Sequence, residues 1–477
     1  MNTDLAQMHD YVEYASFLLA TTIVGITAAQ NVLYLLQLIV AFIALQGRLL
    51  VKTPKQAWQM LRDSTLPISM LVPAYNEEET VVENIRSMLT LHYPNFEVVV
   101  INDGSKDGTL EAAIEAFELK PIKRPYETEV PHQAIRELYG SPNHPNLTVI
   151  DKENGGKADA LNAGINLSRF PLFCAVDADS LLESDALLRA VQPFAEDPDR
   201  VVAVGGTVRI ANGCTVRAGR VEHIGIPSNL LALFQIVEYL RAFLMARLAW
   251  SHFNALMLVS GAFGIFKRST AVVVGGYDTD TIGEDLELIV KLHRHMHETG
   301  QDYDIKFIPD PVCWTEAPES LRVLARQRMR WQRGALETFF KHIRMLGNPR
   351  YGAPGMIGYP HILLVDVLGP PTELLGYILL PAFWYLGIIQ WEIMAAFLAL
   401  TFVFGIFVSV GSLVLEEMEL KRFPKAGHLL VLLGIAIIEN FGYRQINSFW
   451  RIAGFWQYVS GAKSSWGEMT RKGFKRL

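Results

Sequence analysis

Three groups of carboxylates stand where short apolar runs end. Asp103 closes EVVVIND, Asp177 and Asp179 close LFCAVDAD, and Glu284 and Asp285 sit in TIGED, ahead of the helical pattern DLELIVKLHRH. Asp177 and Asp179 are two apart, and in strand geometry both face one side. Two hard oxygen donors suit Mg2+ or Mn2+ when phosphate oxygens and water complete the shell. A cation held there acts as a Lewis acid toward a departing diphosphate. A carboxylate such as Asp285 can take a proton from a hydroxyl within hydrogen-bond reach. Its neighbour Glu284 either orients it or caps the helix. Asp103 can accept an N–H from a heterocycle, or it caps the Gly-Ser turn that follows, a part that Asp107 also fits. Asn154-Gly155-Gly156-Lys157 is a flexible turn that carries a positive point charge suited to phosphate.

A second cluster is cationic and aromatic. Arg326, Arg328, Arg330 and Arg333 crowd one helical segment with Gln327 and Trp331. Guanidinium forks pair with phosphate oxygens, Trp331 offers a flat apolar face, and Gln327 can hydrogen-bond a polar ligand. Between the second and third acid groups lies VSGAFGIFKRS. Ser260, Gly261 and Gly264 would let a ligand approach the backbone, with Phe263 or Phe266 beneath it. The histidines show no metal-ligand spacing, and His293, His295 and His297 are read as surface residues of a helix.

These groups need a scaffold, and residues 66–350 read as alternating strands and helices. LPISMLVPAY, NFEVVVIND, NLTVIDK and LFCAVDAD are strand-like; EEETVVENIRSMLTL, GSKDGTLEAAIEAFE and ADALNAGINLS are helical, with Asn76 as the first cap. This repetition predicts an α/β fold with a mostly parallel sheet and helices on both faces, whose ligands bind beyond the carboxyl ends of the strands. The proline-rich stretch 120–145 is expected to be a surface insertion with a short helix near HQAIRELYG.

Apolar segments flank this region. One runs from about Tyr14 to Gln46, longer than the roughly 20 residues of a straight span. It predicts a tilted helix from about Asn31 to Leu50 after an interfacial segment, or else a tight hairpin. The first ten residues hold no Lys or Arg, unlike a signal peptide. Arg48, Lys52, Lys55 and Arg62 then place the next domain in the cytoplasm by the positive-inside tendency. Downstream, HILLVDVLG reads as an interfacial helix stopped by Pro370-Pro371, followed by spans near 372–391, 394–415 and 427–441. Glu373 and Glu439 lie in or beside these spans, either along a polar path or at headgroup level. From Phe441 to Leu477 seven Lys or Arg face one acid, Glu468, among several aromatics, which suits anionic headgroups. Three spans would leave this tail outside, whereas its charge calls for the inside. The expected organisation is a membrane region at 1–50, a cytoplasmic domain at 51–350, an interfacial helix and about three spans at 351–441, and a basic tail at 442–477. A net charge of −6 speaks against a nucleic-acid partner. Three scattered cysteines, Cys174, Cys214 and Cys313, with no CxxC, fit a reducing compartment.

The order VPAYNE, Asp103, NGGKADALN, DAD, GED and RQRMRWQRG resembles the processive, membrane-integrated family-2 glycosyltransferases, which include cellulose, hyaluronan and poly-N-acetylglucosamine synthases. The resemblance spans about Leu66 to Gly334. It implies a nucleotide-sugar-binding GT-A domain inserted between transmembrane helices in the inner or plasma membrane. It implies that Pro73, Tyr75 and Glu77 form the nucleotide loop and that Asp103 contacts the donor uracil. Lys157 and Asp177 would meet the donor diphosphate, Asp177 and Asp179 the metal, and Asp285 would be the base beside Glu284. Gln327, Arg330 and Trp331 would lie beneath the sugar site, and Ser260, Gly261 and Phe263 along the acceptor. Gly283 stands where the family often has a bulkier residue or Thr, which would relax the acceptor floor. The implied partners are a UDP-sugar, a polysaccharide or lipid-linked acceptor, the bilayer, and an accessory membrane or export subunit. A single-sugar transferase to lipid and a non-catalytic sugar-nucleotide-binding subunit are the alternatives.

Overall fold

The computed structural model describes residues 2–46, 65–419 and 425–462. Twelve strands follow the chain: β1 Ile68–Ala74, β2 Phe96–Asn102, β3 Lys120–Pro121, β4 Ile135–Gly140, β5 Leu147–Lys152, β6 Leu172–Val176, β7 Leu181–Leu182, β8 Val201–Ile210, β9 Thr215–Arg217, β10 Arg220–His223, β11 Phe263–Lys267 and β12 Asp304–Thr315. Ten form one sheet in the order β3-β4-β5-β2-β1-β6-β11-β8-β12-β7, and β9 and β10 pair separately. Helices of nine or more residues are α1 Asn2–Gln46, α2 Val81–Leu89, α3 Thr109–Phe117, α4 Lys157–Leu167, α5 Leu230–Tyr239, α6 Glu284–Thr299, α7 Leu321–Lys341, α8 Gly369–Tyr385, α9 Phe404–Glu419, α10 Ala426–Ile438 and α11 Tyr443–Val459.

The mostly parallel GT-A sheet expected from the sequence is corrected here: the sheet is mixed. The neighbours β5-β2-β1-β6 run parallel, as does β8 with β12. The pairs β3-β4, β4-β5, β6-β11, β11-β8 and β12-β7 are antiparallel, as is β9-β10. The four strands read from sequence are the parallel block. They are almost wholly buried and largely apolar, as strands covered on both faces tend to be. The reading failed at the rest because strand direction depends on how the chain returns, which no local pattern records.

Smaller corrections share that cause. HQAIRELYG is not a helix; residues 135–140 form β4 on the flank of β5. The first helix of the domain starts at Val81 rather than at the acidic run, and Asn76 instead holds a left-handed turn (φ 56°). His293 is buried, not at the surface: its Nδ1 meets Tyr303 Oη at 2.6 Å and its Nε2 meets the Leu256 carbonyl at 2.8 Å. The N-terminal apolar run is one helix, α1, about 67 Å long at 1.5 Å per residue, in place of a helix begun at Asn31; Gly47–Leu50 lie outside the described residues.

Among the described residues three helices are long and apolar enough to cross a membrane, residues 10–46, 354–385 and 391–418, so the α/β domain is flanked by candidate spans. Pro370-Pro371 do not stop the second; they occupy the first turn of α8, where proline is tolerated. A fourth candidate is the pair α10 and α11, bent by 58°. Alone, α10 is about 20 Å long, short of the ~30 Å hydrocarbon core. The pair touches the α/β domain on both sides of its bend and again beyond its last turn. Leu432, Ile435 and Ala436 of α10 share a cluster with Ile210, Leu233 and Phe234. At the start of α11, Tyr443 stacks on Phe234 at 4.7 Å and donates to Glu238 at 2.9 Å. Beyond its end, the Ala462 carbonyl accepts from Arg333 at 2.5 Å.

Ion pairs join the two regions. Arg209 at the end of β8 pairs with Glu416 of α9, and Arg241 pairs with Glu439. Glu439 is buried and accepts from Ser409, while Glu373 accepts from Ser448 at 2.6 Å and Tyr377 at 3.2 Å. Both carboxylates are ties between helices. A buried carboxylate is retained only with such partners.

Candidate active site

The site forms where β1, β2 and β6 end, closed by the N-terminus of α6 and the segment before β11. The turn after β6 carries Asp177 and Asp179, both partly exposed, with Ala178 buried between them. The two acids therefore share an outward side. Lys157 begins α4 after Gly156, whose φ of +89° makes the abrupt entry that favours glycine. Its Nζ lies 2.5 Å from Asp177 Oδ1 and 3.5 Å from Glu284 Oε1, and donates to the Gly261 carbonyl at 3.1 Å. Burial works against this ammonium, but Asp177, Glu284 and Asp285 outweigh it and raise its pKa. Burial also raises Glu284, reinforced by Asp285 and opposed by Lys157.

Gly261 is essential to this spacing. A Cβ there would come 3.0 Å from Asp285 Oδ2 and 3.1 Å from Lys157 Nζ. Asp285 itself stands in the first turn of α6, partly exposed, its Oδ1 accepting from Leu286 N–H at 2.8 Å. Behind it lies Arg247, which sequence reasoning missed. Burial pushes this guanidinium down to about 10, with Asp285 and Tyr239 opposing. It also donates to the carbonyls of Leu258 (3.1 Å) and Ala242 (3.0 Å). Nothing in the local pattern around Arg247 marks it.

Asp103 is buried, and its carboxylate is fully engaged by protein donors. Oδ1 receives Lys152 Nζ at 2.5 Å and Gly155 N–H at 3.0 Å; Oδ2 receives Gly156 N–H at 2.8 Å and Asn154 Nδ2 at 3.1 Å. A carboxylate offers about four lone-pair positions, so these donors occupy its capacity. Burial nevertheless raises its pKa. Lys152, also missed, is fully buried and bridges Asp103 to Asp159, again at 2.5 Å. Its signal was a charge inside a buried strand, LTVIDK. Asp107 binds the Thr109 and Glu78 amides, the turn role read for it.

Pro73 is the penultimate residue of β1, Tyr75 is exposed beyond it, and Glu77 holds Thr80 Oγ1 at 2.8 Å. Asn76 ties this loop to the next through Ser105 and Lys106. Ser260 accepts from Ala262 N–H at 3.1 Å, one residue from Gly261. Phe263 is a correction: it is fully buried in β11 opposite Val176 and belongs to the core, and Phe266 stacks on Phe173 at 5.2 Å.

On α7, Gln327, Arg330, Trp331 and Gly334 follow helical spacing along one face. Trp331 is 44% exposed, and the Arg328 guanidinium lies 4.3 Å from its ring centroid. Among the described residues, Gln327 Oε1 finds no donor. The open floor expected at Gly283 is filled instead: a Cβ on Gly334 would come 2.8 Å from Gly283 Cα.

Asp177 and Asp179 fit a divalent cation as hard oxygen donors. Lys157 engages one oxygen of Asp177 and leaves the other. Among the described residues no group of three or more His, Cys, Asp or Glu converges, so a cation here takes further ligands from a bound diphosphate or water.

Comparison with known proteins points the same way. Residues 69–270 match Glycosyl transferase family 2, and residues 172–436 match Glycosyl transferase family group 2. Poly-beta-1,6-N-acetyl-D-glucosamine synthase of Staphylococcus epidermidis is 32% identical over 275 residues, 57% of this chain and 56% of that one. The enzyme of that name from Staphylococcus aureus (strain COL) is 31% identical over 289 residues, 60% and 59% of the two chains. The chain thus spans somewhat over half the length of these relatives. Among solved structures, mannosyltransferase PcManGT from Pyrobaculum calidifontis, in complex with GDP-Man and Mn2+, is similar over 92% of this chain and 100% of that one. The TM-score is 0.51 at 20% identity, a likeness of fold.

Proposed function

Because the chain belongs to glycosyl transferase family group 2, we propose that it is an inverting, processive glycosyltransferase that extends a polysaccharide from a UDP-sugar at the membrane. The observation that carries this reading is Lys157, which joins the Asp177 turn to the Glu284-Asp285 helix start, 107 residues on in the sequence. A donor-diphosphate site and a proton acceptor then share one wall. The names of the staphylococcal relatives favour N-acetylglucosamine as the sugar.

In this reading Asp285 accepts the proton of the attacking hydroxyl, within hydrogen-bond reach of the acceptor. Lys157 and Arg247 place positive charge beside it. Glu284 holds Lys157, which in turn fixes Asp177. Asp177 and Asp179 would hold Mg2+ or Mn2+, which would neutralise charge on the diphosphate leaving group. Asp103, its acceptor positions taken, shapes the Asn154–Lys157 loop rather than bonding uracil directly; Tyr75 and the backbone of the first loop are left to meet the base. Trp331 and Gln327 face the sugar acceptor.

The same reading sets the topology. The ties of Glu416, Tyr443 and Ala462 to the α/β domain support a re-entrant course for α10 and α11, in which the chain leaves α11 on the domain's side, read as the cytoplasm. Three crossings then suffice.

The test is a screen of UDP-sugars with purified protein and Mn2+ or Mg2+, reading UDP release and product mass. Metal-dependent UDP release with a ladder of chain lengths is the expected result. A single glycolipid product overturns processivity, and no UDP release with any donor overturns the reading.

A further inference from the structure

We propose that Glu337 of α7 is a positioning residue for the base, holding the Thr281–Gly283 loop so that Asp285 meets the acceptor in a set place. This rests on the reading of Asp285 as base. Glu337 Oε2 accepts from Ile282 N–H at 2.9 Å and from Thr281 Oγ1 at 3.1 Å. Its Oε1 accepts from Arg333 Nε at 2.7 Å. Thr281 Oγ1 also receives Gly283 N–H at 3.2 Å. The three residues before Glu284 are therefore all tied, directly or through Thr281, to one carboxylate on another helix.

The packing explains why this carboxylate reaches the loop. Glu337 lies one turn beyond Gly334, on the same face of α7. The Gly283 and Gly334 backbones are in contact, and neither tolerates a Cβ without movement. Small residues at this crossing bring α7 close enough for a Glu side chain to grip the backbone. Charge-assisted bonds of a carboxylate to N–H groups are among the stronger hydrogen bonds. The clamp is fixed from behind, since Arg333 also donates to the Ala462 carbonyl at 2.5 Å. Gly454 of α11 packs against Met329 and Gln332 of the same helix. The loop that carries the base is thus referenced to the helix that carries Trp331, and through it to α11. Glu337 touches neither the acids nor the proposed ligands; it acts through the loop.

The experiment compares full-length Glu337→Ala, Glu337→Gln and Asp285→Asn, with UDP-N-acetylglucosamine and Mn2+. The readouts are kcat and KM for UDP release, UDP affinity and thermal stability. Misplacement of a catalytic group by about 1 Å costs on the order of 100-fold. Glu337→Ala is expected to lose about that much kcat, with donor KM and UDP affinity unchanged. Glu337→Gln keeps an acceptor for Ile282 N–H and is expected to recover much of the loss, so the proposal stays testable if the alanine variant folds poorly. Wild-type kcat in both Glu337 variants overturns the proposal, as does a joint fall of kcat, UDP affinity and stability in the glutamine variant. Wild-type turnover in Asp285→Asn instead removes the base reading on which the proposal stands.

Discussion

Lys157 Nζ lies 2.5 Å from Asp177 Oδ1, so the cation that opens α4 is bound to the first acid of the strand-end pair. The contact is flanked by Glu284 and the Gly261 carbonyl. A compact ammonium can serve three acceptors in different directions, whereas a planar guanidinium presents a fixed fork. Lys157→Met is therefore expected to cut UDP release by roughly 100- to 1,000-fold, the scale for losing one preorganised electrostatic group. Lys157→Arg is expected to stay strongly impaired despite its charge. Steady-state kinetics on both variants check this, and turnover near wild type in either one defeats the assignment.

Gly261 borders both Lys157 and Asp285. Its substitution by Ala would place a methyl 3.0 Å from Asp285 Oδ2 and 3.1 Å from Lys157 Nζ. Both are ends of side chains and can shift, so folding should survive. The shift falls on Asp285, the proposed base, and on Lys157 together. A kcat loss of about tenfold or more with unchanged melting temperature is expected; an unchanged kcat would show that the spacing at this point has no catalytic weight.

His293 predicts a pH-dependent stability. Its Nε2–H donates to the Leu256 carbonyl and its Nδ1 accepts from Tyr303, a pattern only the neutral ring satisfies. Burial holds its pKa down at about 4, from 6.5. The unfolded chain therefore binds this proton first. The stabilisation is complete above pH 6.5 and is lost as the pH falls from there toward 4, at about 1.4 kcal/mol per pH unit. Melting temperature should fall between about pH 7 and pH 5, and His293→Gln should lower it at neutral pH while flattening that fall. A variant whose melting temperature tracks the wild type across this range would contradict the assignment.

The re-entrant course proposed for α10 and α11 predicts a labelling pattern. In a Cys214→Ser background, cysteines at Gly427 and Ser460 should both react with an impermeant thiol reagent only from the side of the α/β domain. A cysteine at Tyr385, 86% exposed at the end of α8, should react only from the other side. Labelling of position 460 from that opposite face would mean that the bent pair crosses the bilayer.

Much of the site was legible because its parts are local. Asp103, Asp177, Asp179 and Asp285 each end or open a segment whose periodicity is visible within ten residues, and the parallel block β5-β2-β1-β6 is a set of buried apolar runs. Sequence alone determined these strand ends, the helix starts beside them and the presence of apolar segments on both sides. Tertiary structure alone decided which distant groups meet. It brought Lys157 to Glu284, Arg247 behind Asp285, and Glu337 to the loop before the base. It turned Phe263 and His293 inward, closed the floor at Gly283 with Gly334, and set β11 antiparallel to β6. The reason is physical: a residue's local conformation follows from its neighbours in the chain, whereas its contacts follow from the path by which distant segments return.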